Sequence, residues 1–268
     1  MRISCIIPTF NNSEGQIRSA LESVINSSFP VWEIVVIDDG SDSNFAEMVT
    51  VQMSQLYPST KFVFAKQANK GPSAARNFGV DLAEGNWLAF LDADDAMLPS
   101  GVLSRVDVIS NSESAALACV FSSFVWSDSG KCQIFESVHL PIKPDEVGVL
   151  GKAPGGLPSY LIRRDVYLSV GGLDESLVFN EDFDLILRII SRGYEVRGVS
   201  APGFVRSVNP CSLTRSNMRR SLSGGRAFLR KAWHHGLLSK KEVFRRYILN
   251  VLLNIKYSAV SFCENIVK

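Results

Sequence analysis

Short apolar segments of strand length alternate with helical segments four times in the first third of the sequence. The strand-like segments span residues 3–8, 33–37, 61–66 and 87–91. The segments between them carry apolar residues at helical period, and Pro72 stands where the first residue of a helix is expected. This alternation predicts an α/β fold with a doubly wound, mostly parallel sheet. In such sheets ligands bind beyond the carboxyl ends of the strands.

The ends of these strands carry the polar residues that the fold would bring to one edge. They are Pro8-Thr9-Phe10, Asp38-Asp39 and Asp92-Ala93-Asp94-Asp95. Three carboxylates within four residues repel one another unless solvent, a helix N-terminus or a cation neutralises them. Two interpretations stay open. The aspartates cap a helix that begins near Pro99, or they hold Mg²⁺ or Mn²⁺ against the phosphates of a substrate.

Two further segments carry residues that suit a nucleotide. Asp39, at the end of a strand, can accept a hydrogen bond from an N–H of a base, or it can cap the next helix. The small residues of Asn69–Asn77 let a helix N-terminus approach a phosphate closely, and Arg76 can supply a fork-shaped donor. The alternative is a helix cap with a surface arginine. The sequence contains no G-x-G-x-x-G or Walker pattern, which disfavours dinucleotide and P-loop sites.

Glu181 and Asp182 open a predicted amphipathic helix that ends at Gly193. The helix dipole favours negative charge at this position, so simple capping explains the pair. A carboxylate placed near a substrate hydroxyl can equally act as a general base.

Composition indicates an ordinary globular protein. The 268 residues are 46% hydrophobic with a net charge of +1. The five cysteines are scattered without paired spacing, which favours reduced thiols in the cytoplasm over disulfides or a zinc site. Residues 1–10 enter a strand without a basic leader, so we expect no signal peptide. No apolar run approaches the roughly 20 residues that span a bilayer.

The charge is unevenly spread along the chain. Residues 215–268 hold twelve Lys or Arg against two Glu, so an acidic body precedes a basic region. We therefore predict two parts, with residues 1–215 as the catalytic domain and 216–268 as a basic, helical C-terminal extension. The apolar stripe of this extension either packs on the domain or binds an anionic membrane surface peripherally.

Six motifs occur together in an order and spacing that resemble the family 2 glycosyltransferases, although each motif alone is weak. The resemblance covers about residues 1–215 and implies the GT-A fold, a Rossmann-like nucleotide-sugar-binding architecture. The motifs are Ile7–Asn11, Val36–Ser41, Asn69–Asn77, Leu91–Asp95, Gly171–Glu175 and Asn180–Asp184.

The resemblance also implies roles for individual residues. Thr9 and Asp39 would hold the base, usually uracil, with Pro8 and Phe10 beside them, and Asn69 and Arg76 would line the nucleotide site. Asp92 would lie toward the ribose and Asp94 on Mn²⁺ or Mg²⁺, while Asp182 would be the catalytic base, supported by Glu181. One motif departs from the family pattern, because Asn209 stands where a histidine near the diphosphate is expected.

The implied activity is inverting transfer of a sugar from a nucleotide sugar, with UDP as the expected nucleotide. The acceptor would be a hydroxyl of a glycan or lipid-linked glycan, as in bacterial-type surface polysaccharide synthesis, and no nucleic acid is expected as a partner. Two alternatives stay open. One is a non-catalytic protein that binds nucleotide sugars or glycans. The other is a sugar-phosphate nucleotidylyltransferase, which would require a glycine-rich basic loop where residues 8–15 stand.

Overall fold

A computed structural model gives the structure of the protein. It describes residues 1–128, 131–135, 156–177, 179–207 and 228–234, with a few single positions between 236 and 248.

Nine strands and six helices have defined bounds in this part of the chain. The strands are β1 (Ile3–Thr9), β2 (Glu33–Asp38), β3 (Lys61–Lys66), β4 (Trp87–Phe90), β5 (Ala96–Met97), β6 (Leu117–Asp128), β7 (Lys131–Phe135), β8 (Tyr160–Arg163) and β9 (Glu195–Ser207). The helices are α1 (Glu14–Ile25), α2 (Phe45–Leu56), α3 (Pro72–Leu82), α4 (Gly101–Ser110), α5 (Arg164–Ser169) and α6 (Glu181–Ser191), with a 3₁₀ turn at Leu157–Ser159.

The strands form one sheet in the order β3-β2-β1-β4-β8-β6-β9-β5, with β7 paired to β6. The first four strands in this order are parallel, as the alternation predicted. Strand β8 then lies antiparallel between β4 and β6, and β9 runs parallel to β6. The α/β fold class is confirmed. The parallel half brings the carboxyl ends of β1, β2 and β4 to one edge.

The first strands are apolar because both faces of the sheet are covered. Every residue of β1 and β2 is buried, which is typical of a strand between two layers of helices. Helix α1 begins with the capping box that Ser13 and Gln16 form. Helix α3 lies very close to the sheet, because a Cβ on Gly79 would come within 2.5 Å of the Ile6 side chain.

Some strands of the structure have bounds that the local sequence pattern does not predict. Strand β1 continues to Thr9, whose place in the sheet is opposite Asp38 of β2. The segment before α5 contains a 3₁₀ turn and strand β8, which completes the middle of the sheet. Strand β9 is long and extends to Ser207, because β6 and β5 both pair with its second half. Such pairing is long-range and leaves no local signal.

Part of the C-terminal segment packs on the α/β body. Residues 228–234 are helical, and Phe228, Leu229 and Ala232 are buried in the same core cluster as helix α6. The division at residue 215 lies among residues 208–227, outside the described part of the chain, and so does Asn209. The two-part division therefore stays a prediction.

Candidate active site

The ends of β1 and β2 are joined by hydrogen bonds. The Asp39 N–H donates to the Thr9 carbonyl at 2.9 Å, and the Asn11 N–H donates to Oγ of Ser41 at 2.9 Å. The Thr9 hydroxyl donates to Oδ1 of Asn12 at 3.1 Å. Pro8 and Thr9 are buried, and Phe10 is 50% exposed at the edge. An exposed aromatic ring on a fixed turn offers a flat apolar surface to a ligand.

Asp39 organises the loop that leads into helix α3. Its carboxylate accepts hydrogen bonds from Nε2 of Gln67 and from the N–H groups of Lys70 and Gly71, at 2.7 to 2.9 Å. Gly71 begins the helix with a φ of 91°, a conformation that favours glycine. Asp39 therefore fixes the start of α3, and this helix is not the one that directly follows β2. Asn69 is exposed on the same loop, with its backbone against Gly40.

Arg76 projects from helix α3 toward the carboxylates of Asp92 and Glu181. Its Nη2 donates to Oδ1 of Asp92 at 2.5 Å, and its Nη1 lies 3.7 Å from Oε1 of Glu181. The side chain is only 7% exposed, so the alternative of a surface arginine is wrong. Burial by itself would lower the pKa of Arg76, but the negative charges of Asp92 and Glu181 outweigh it and raise the pKa.

Two of the Arg76 donors have no hydrogen-bond acceptor among the described residues. Its Nε and Nη1 groups are buried and make no hydrogen bond within the described part of the chain. An unpaired buried donor is costly, and an oxygen atom of an anionic ligand would satisfy it.

The aspartates after β4 concentrate negative charge. Asp92 and Asp94 are partly exposed, while Asp95 is buried and accepts a hydrogen bond from the Ser207 N–H at 2.9 Å. Burial, followed by the negative charges of Asp92 and Asp94, raises the pKa of Asp95 to about 8 despite this hydrogen bond. Helix α4 has Ser100 at its N-cap. The aspartates therefore do not cap it.

This edge fits a hard divalent cation. Its donors are carboxylate oxygens, which Mg²⁺ and Mn²⁺ prefer, and the surplus negative charge favours a cation. In the part of the chain that the structure describes, no group of three or more His, Cys, Asp or Glu side chains could hold a metal by itself. A site in which one or two carboxylates act together with substrate phosphates does not require such a group.

Glu181 and Asp182 stand at the first turn of α6, after Asn180 in the left-handed conformation with a φ of 64°. The Asp182 carboxylate accepts from the Gly156 N–H at 2.6 Å and from the Phe183 N–H at 2.8 Å. Asp182 thus binds a distant segment, which simple helix capping does not require. Burial and the negative charge of Asp182 raise the pKa of Glu181 to about 7, although the nearby Arg76 lowers it.

The structure therefore brings the sequence candidates into two connected groups. Helix α3 connects them, because Asp39 holds its start and its Arg76 reaches Asp92 and Glu181. Asp92, Asp94, Glu181 and Asp182 form the acidic group, and Thr9, Phe10, Asp39 and Asn69 lie around the ends of β1 and β2. Their individual roles stay predictions.

Sequence reasoning missed several residues that support these groups. Gly156 binds Asp182, and Asn77 of α3 binds the Leu173 backbone and accepts from the Tyr167 hydroxyl at 2.6 Å. Asn77 lies inside a motif, so its position was a signal that could have been used. Gly156 gave no such signal, because its role depends on long-range packing.

A curled α/β sheet with acidic groups at its carboxyl edge is typical of the GT-A glycosyltransferases. A family model described as glycosyl transferase family 2 matches residues 4–137, half of the chain. The chain belongs to glycosyl transferase family 2.

The chain is also similar to curated proteins named as glycosyltransferases or as polysaccharide-synthesis proteins. An uncharacterized glycosyltransferase of Haemophilus influenzae is 29% identical over 196 residues, which are 70% of this chain and 62% of that protein. The succinoglycan biosynthesis protein ExoO of Rhizobium meliloti is 24% identical over 90% of this chain and 71% of its own length. The chain thus spans less than two thirds of the Haemophilus relative.

Solved structures confirm the GT-A fold. Staphylococcus aureus TarS 1–349, solved in complex with UDP-GlcNAc, superposes with a TM-score of 0.68 at 18% identity, over 94% of this chain and 72% of that chain. The mannosyltransferase PcManGT of Pyrobaculum calidifontis, solved with GDP-Man and Mn²⁺, gives 0.65 at 18% identity, over 87% and 64% of the two chains.

Proposed function

We propose that the protein is a metal-dependent, inverting glycosyltransferase that transfers a sugar from a nucleotide sugar to an acceptor hydroxyl. The observation that carries the proposal is Arg76, a buried cation between Asp92 and Glu181, two of whose donors make no hydrogen bond to any described residue. It connects the edge proposed for the donor to the helix that carries Asp182. The UDP-GlcNAc and GDP-Man complexes of the two structural neighbours support a nucleotide-sugar donor.

Each group in the site has a chemical task in this proposal. Thr9 and Asp39 hold the base, with Phe10 against it, and Asn69 lines the nucleotide site. Oδ2 of Asp39 accepts one hydrogen bond from Gly71, which leaves it a lone pair for a base N–H. Uracil presents such an N–H, and the UDP-GlcNAc complex of TarS supports a uracil nucleotide.

Asp94 would hold the cation together with the diphosphate of the donor, and Asp92 would lie toward the ribose. A divalent cation bound there supplies Lewis-acid neutralisation of the charge that develops on the diphosphate. The Mn²⁺ in the PcManGT structure supports this choice. Arg76 adds a fixed positive charge beside Asp92, in a buried setting where it needs no reorganisation during the reaction.

Asp182 acts as the general base. It takes the proton of the acceptor hydroxyl as the oxygen attacks the anomeric carbon, and the bond to the diphosphate breaks on the opposite face. The hydrogen bonds from Gly156 and Phe183 orient both carboxylate oxygens and leave each a lone pair. Glu181 contributes negative charge beside the oxocarbenium-like sugar.

The acceptor proposed is a glycan or a lipid-linked glycan in surface polysaccharide synthesis. The name of the Rhizobium relative, a succinoglycan biosynthesis protein, supports this class. The protein would then act in the cytoplasm, in peripheral contact with the inner face of the cell membrane.

Exposed apolar side chains in the C-terminal segment support the proposed contact with a membrane. Trp233, Phe244 and Ile248 are 55%, 67% and 42% exposed, in a region of strongly positive charge. Exposed aromatic and aliphatic side chains among Lys and Arg suit an anionic interface. Within the residues that the structure describes, no helix is both long enough and apolar enough to cross a bilayer.

The test is a panel of nucleotide sugars in the presence of Mn²⁺. We expect one donor to raise the melting temperature and then to transfer its sugar, and NMR of the product should show the anomeric configuration opposite to that of the donor. Retention of configuration would contradict the mechanism. Donor binding without hydrolysis or transfer would favour a non-catalytic binding protein.

A further inference from the structure

A lysine of the C-terminal helix, Lys231, connects two segments of the α/β body. Its Nζ lies 2.5 Å from Oδ2 of Asp174 and 2.9 Å from Oδ2 of Asp184, which are 57 and 47 residues away in sequence. Asp184 belongs to α6, and Asp174 belongs to the loop that precedes this helix. We call Lys231, Asp174, Asp184 and Arg188 the Lys231 cluster.

The cluster is balanced in charge and partly buried, with Asp184 at its centre. Asp184 is fully buried, and its Oδ2 accepts from both Lys231 and Arg188, while its Oδ1 has no hydrogen-bond partner in the described part of the chain. Burial alone would raise the pKa of Asp174, but hydrogen bonds from Lys231 and Ser176 lower it to about 2. Removal of Lys231 would leave Asp184 with Arg188 alone and would take the positive charge away from Asp174.

The same helix also contacts α6 through an aromatic pair. The rings of Phe228 and Phe183 meet edge to face with centroids 5.3 Å apart. Phe183 directly follows Asp182, and its N–H donates to the Asp182 carboxylate. The helix at 228–234 thus contacts α6 at Phe183 and Asp184, the two residues that follow the proposed base Asp182.

The other end of the cluster reaches helix α3. Arg188 donates to the Val170 and Gly172 carbonyls, and the loop then returns to Asn77, which accepts from the Leu173 N–H at 3.0 Å. Asn77 is the neighbour of Arg76 on α3. The cluster therefore fixes the relative position of two helices, α3 with Arg76 and α6 with Glu181 and Asp182.

We propose that Lys231 is a positioning residue for the catalytic carboxylates, and this inference rests on the proposed function. Lys231 holds α6 against the loop at 173–177, so the first turn of α6 presents Asp182 at a fixed distance from the donor site. Displacement of a reacting group by about 1 Å can cost a factor of about 100 in rate. The C-terminal helix is then part of the catalytic unit, and the contact with Asp184 transmits its effect.

The experiment compares Lys231→Met with Arg230→Met in the full chain. Arg230 is exposed on the same helix, so its substitution removes one positive charge without touching the cluster. For Lys231→Met we expect kcat to fall by about 10- to 100-fold at a temperature where the protein is folded, with the Kd for UDP within about twofold of the wild type. Lys231→Arg should recover most of this loss, and Arg230→Met should match the wild type.

Hydrogen exchange supplies a readout that does not depend on turnover. The Asp184 N–H donates to the Asn180 carbonyl in the first turn of α6. In Lys231→Met we expect peptides covering 180–187 to exchange faster, while peptides from β1 and β2 keep wild-type rates. Arg230→Met should change neither set.

The outcomes separate the two hypotheses. If no nucleotide sugar is turned over by the wild type, the proposed function fails, and the exchange of 180–187 still decides the positioning role. Wild-type kcat or wild-type exchange of this segment in Lys231→Met would overturn the inference alone. If that variant does not fold, Asp174→Asn replaces it, because it weakens one contact and keeps the Lys231–Asp184 pair. A smaller change in the same direction would then support the inference, and wild-type values would overturn it.

Discussion

The guanidinium of Arg76 binds the carboxylate of Asp92 at 2.5 Å, and this pair joins helix α3 to the end of strand β4. The same side chain lies 3.7 Å from Glu181, so one guanidinium partly neutralises the negative charge of both Asp92 and Glu181. Helix α3 starts at a loop that Asp39 holds by three hydrogen bonds. The two proposed halves of the site, for the nucleotide and for the chemistry, are thus fixed by a single helix.

Asp39 should contribute directly to nucleotide affinity. In Asp39→Asn, the loss of a charged acceptor should weaken UDP binding by about 1–3 kcal/mol. Titration calorimetry measures this loss, and Asp81→Asn, an exposed aspartate of α3, is the matched control. An unchanged affinity for UDP would show that Asp39 only holds the loop at residues 70 and 71.

Activity should require a divalent cation held by Asp94. We expect Asp94→Asn to lose most of its turnover, because the surplus negative charge around residues 92–95 needs a cation and the diphosphate needs neutralisation. Initial rates across a Mn²⁺ titration measure the effect, with Asp107→Asn, exposed on α4, as control. Full turnover of the wild type in excess EDTA would exclude the metal role.

Glu181 should give the protein a pH dependence near neutrality. Its pKa of about 7 lies above the ordinary value of 4.5, so the protonated form is favoured in the folded state. Its ionisation adds negative charge beside the reacting sugar, so kcat should rise as the pH increases through about 7. Glu181→Gln should flatten this step, whereas Glu113→Gln, exposed after α4, should keep it.

The ionisation of Glu181 should lower the stability of the protein as the pH rises, in contrast to its effect on kcat. Between pH 4.5 and 7 the folded protein binds more protons at Glu181 than the unfolded chain does, so this group reduces the free energy of unfolding as pH rises. The stability of the wild type relative to Glu181→Gln should therefore fall across this range. A difference that is constant from pH 4.5 to 7 would contradict the assignment.

The exposed apolar residues of the C-terminal segment should bind an anionic membrane surface. We expect the protein to sediment with phosphatidylglycerol vesicles and not with phosphatidylcholine vesicles, and high salt should weaken binding. Trp233→Ala together with Phe244→Ala should reduce sedimentation, while Leu56→Ala, 65% exposed on α2, should not. If the full chain does not bind anionic vesicles, the C-terminal segment only packs on the α/β body and does not bind membranes.

Sequence patterns predicted the parallel half of the fold and the convergence of its strand ends, because burial on both faces and helical period are local signals. They did not predict strand β8, since a short strand in the middle of a sheet depends on distant partners. The candidate residues came from motifs. The contact of Arg76 with both Asp92 and Glu181 was not foreseen, because it requires the close packing of α3 at Gly79. Lys231 was one of many basic residues in its region, and only the buried Asp184 distinguishes it.

In the proposed mechanism Asp182 takes the proton of the acceptor, and the turnover of Asp182→Asn at saturating donor measures this role. The substitution keeps the shape of the side chain but removes the base, and its one amide oxygen can keep only one of the hydrogen bonds from Gly156 and Phe183. We expect kcat to fall by about 10²- to 10⁴-fold with nearly unchanged affinity for the nucleotide sugar. Wild-type turnover by Asp182→Asn would contradict the account, and Glu181 would then be the first alternative base to test.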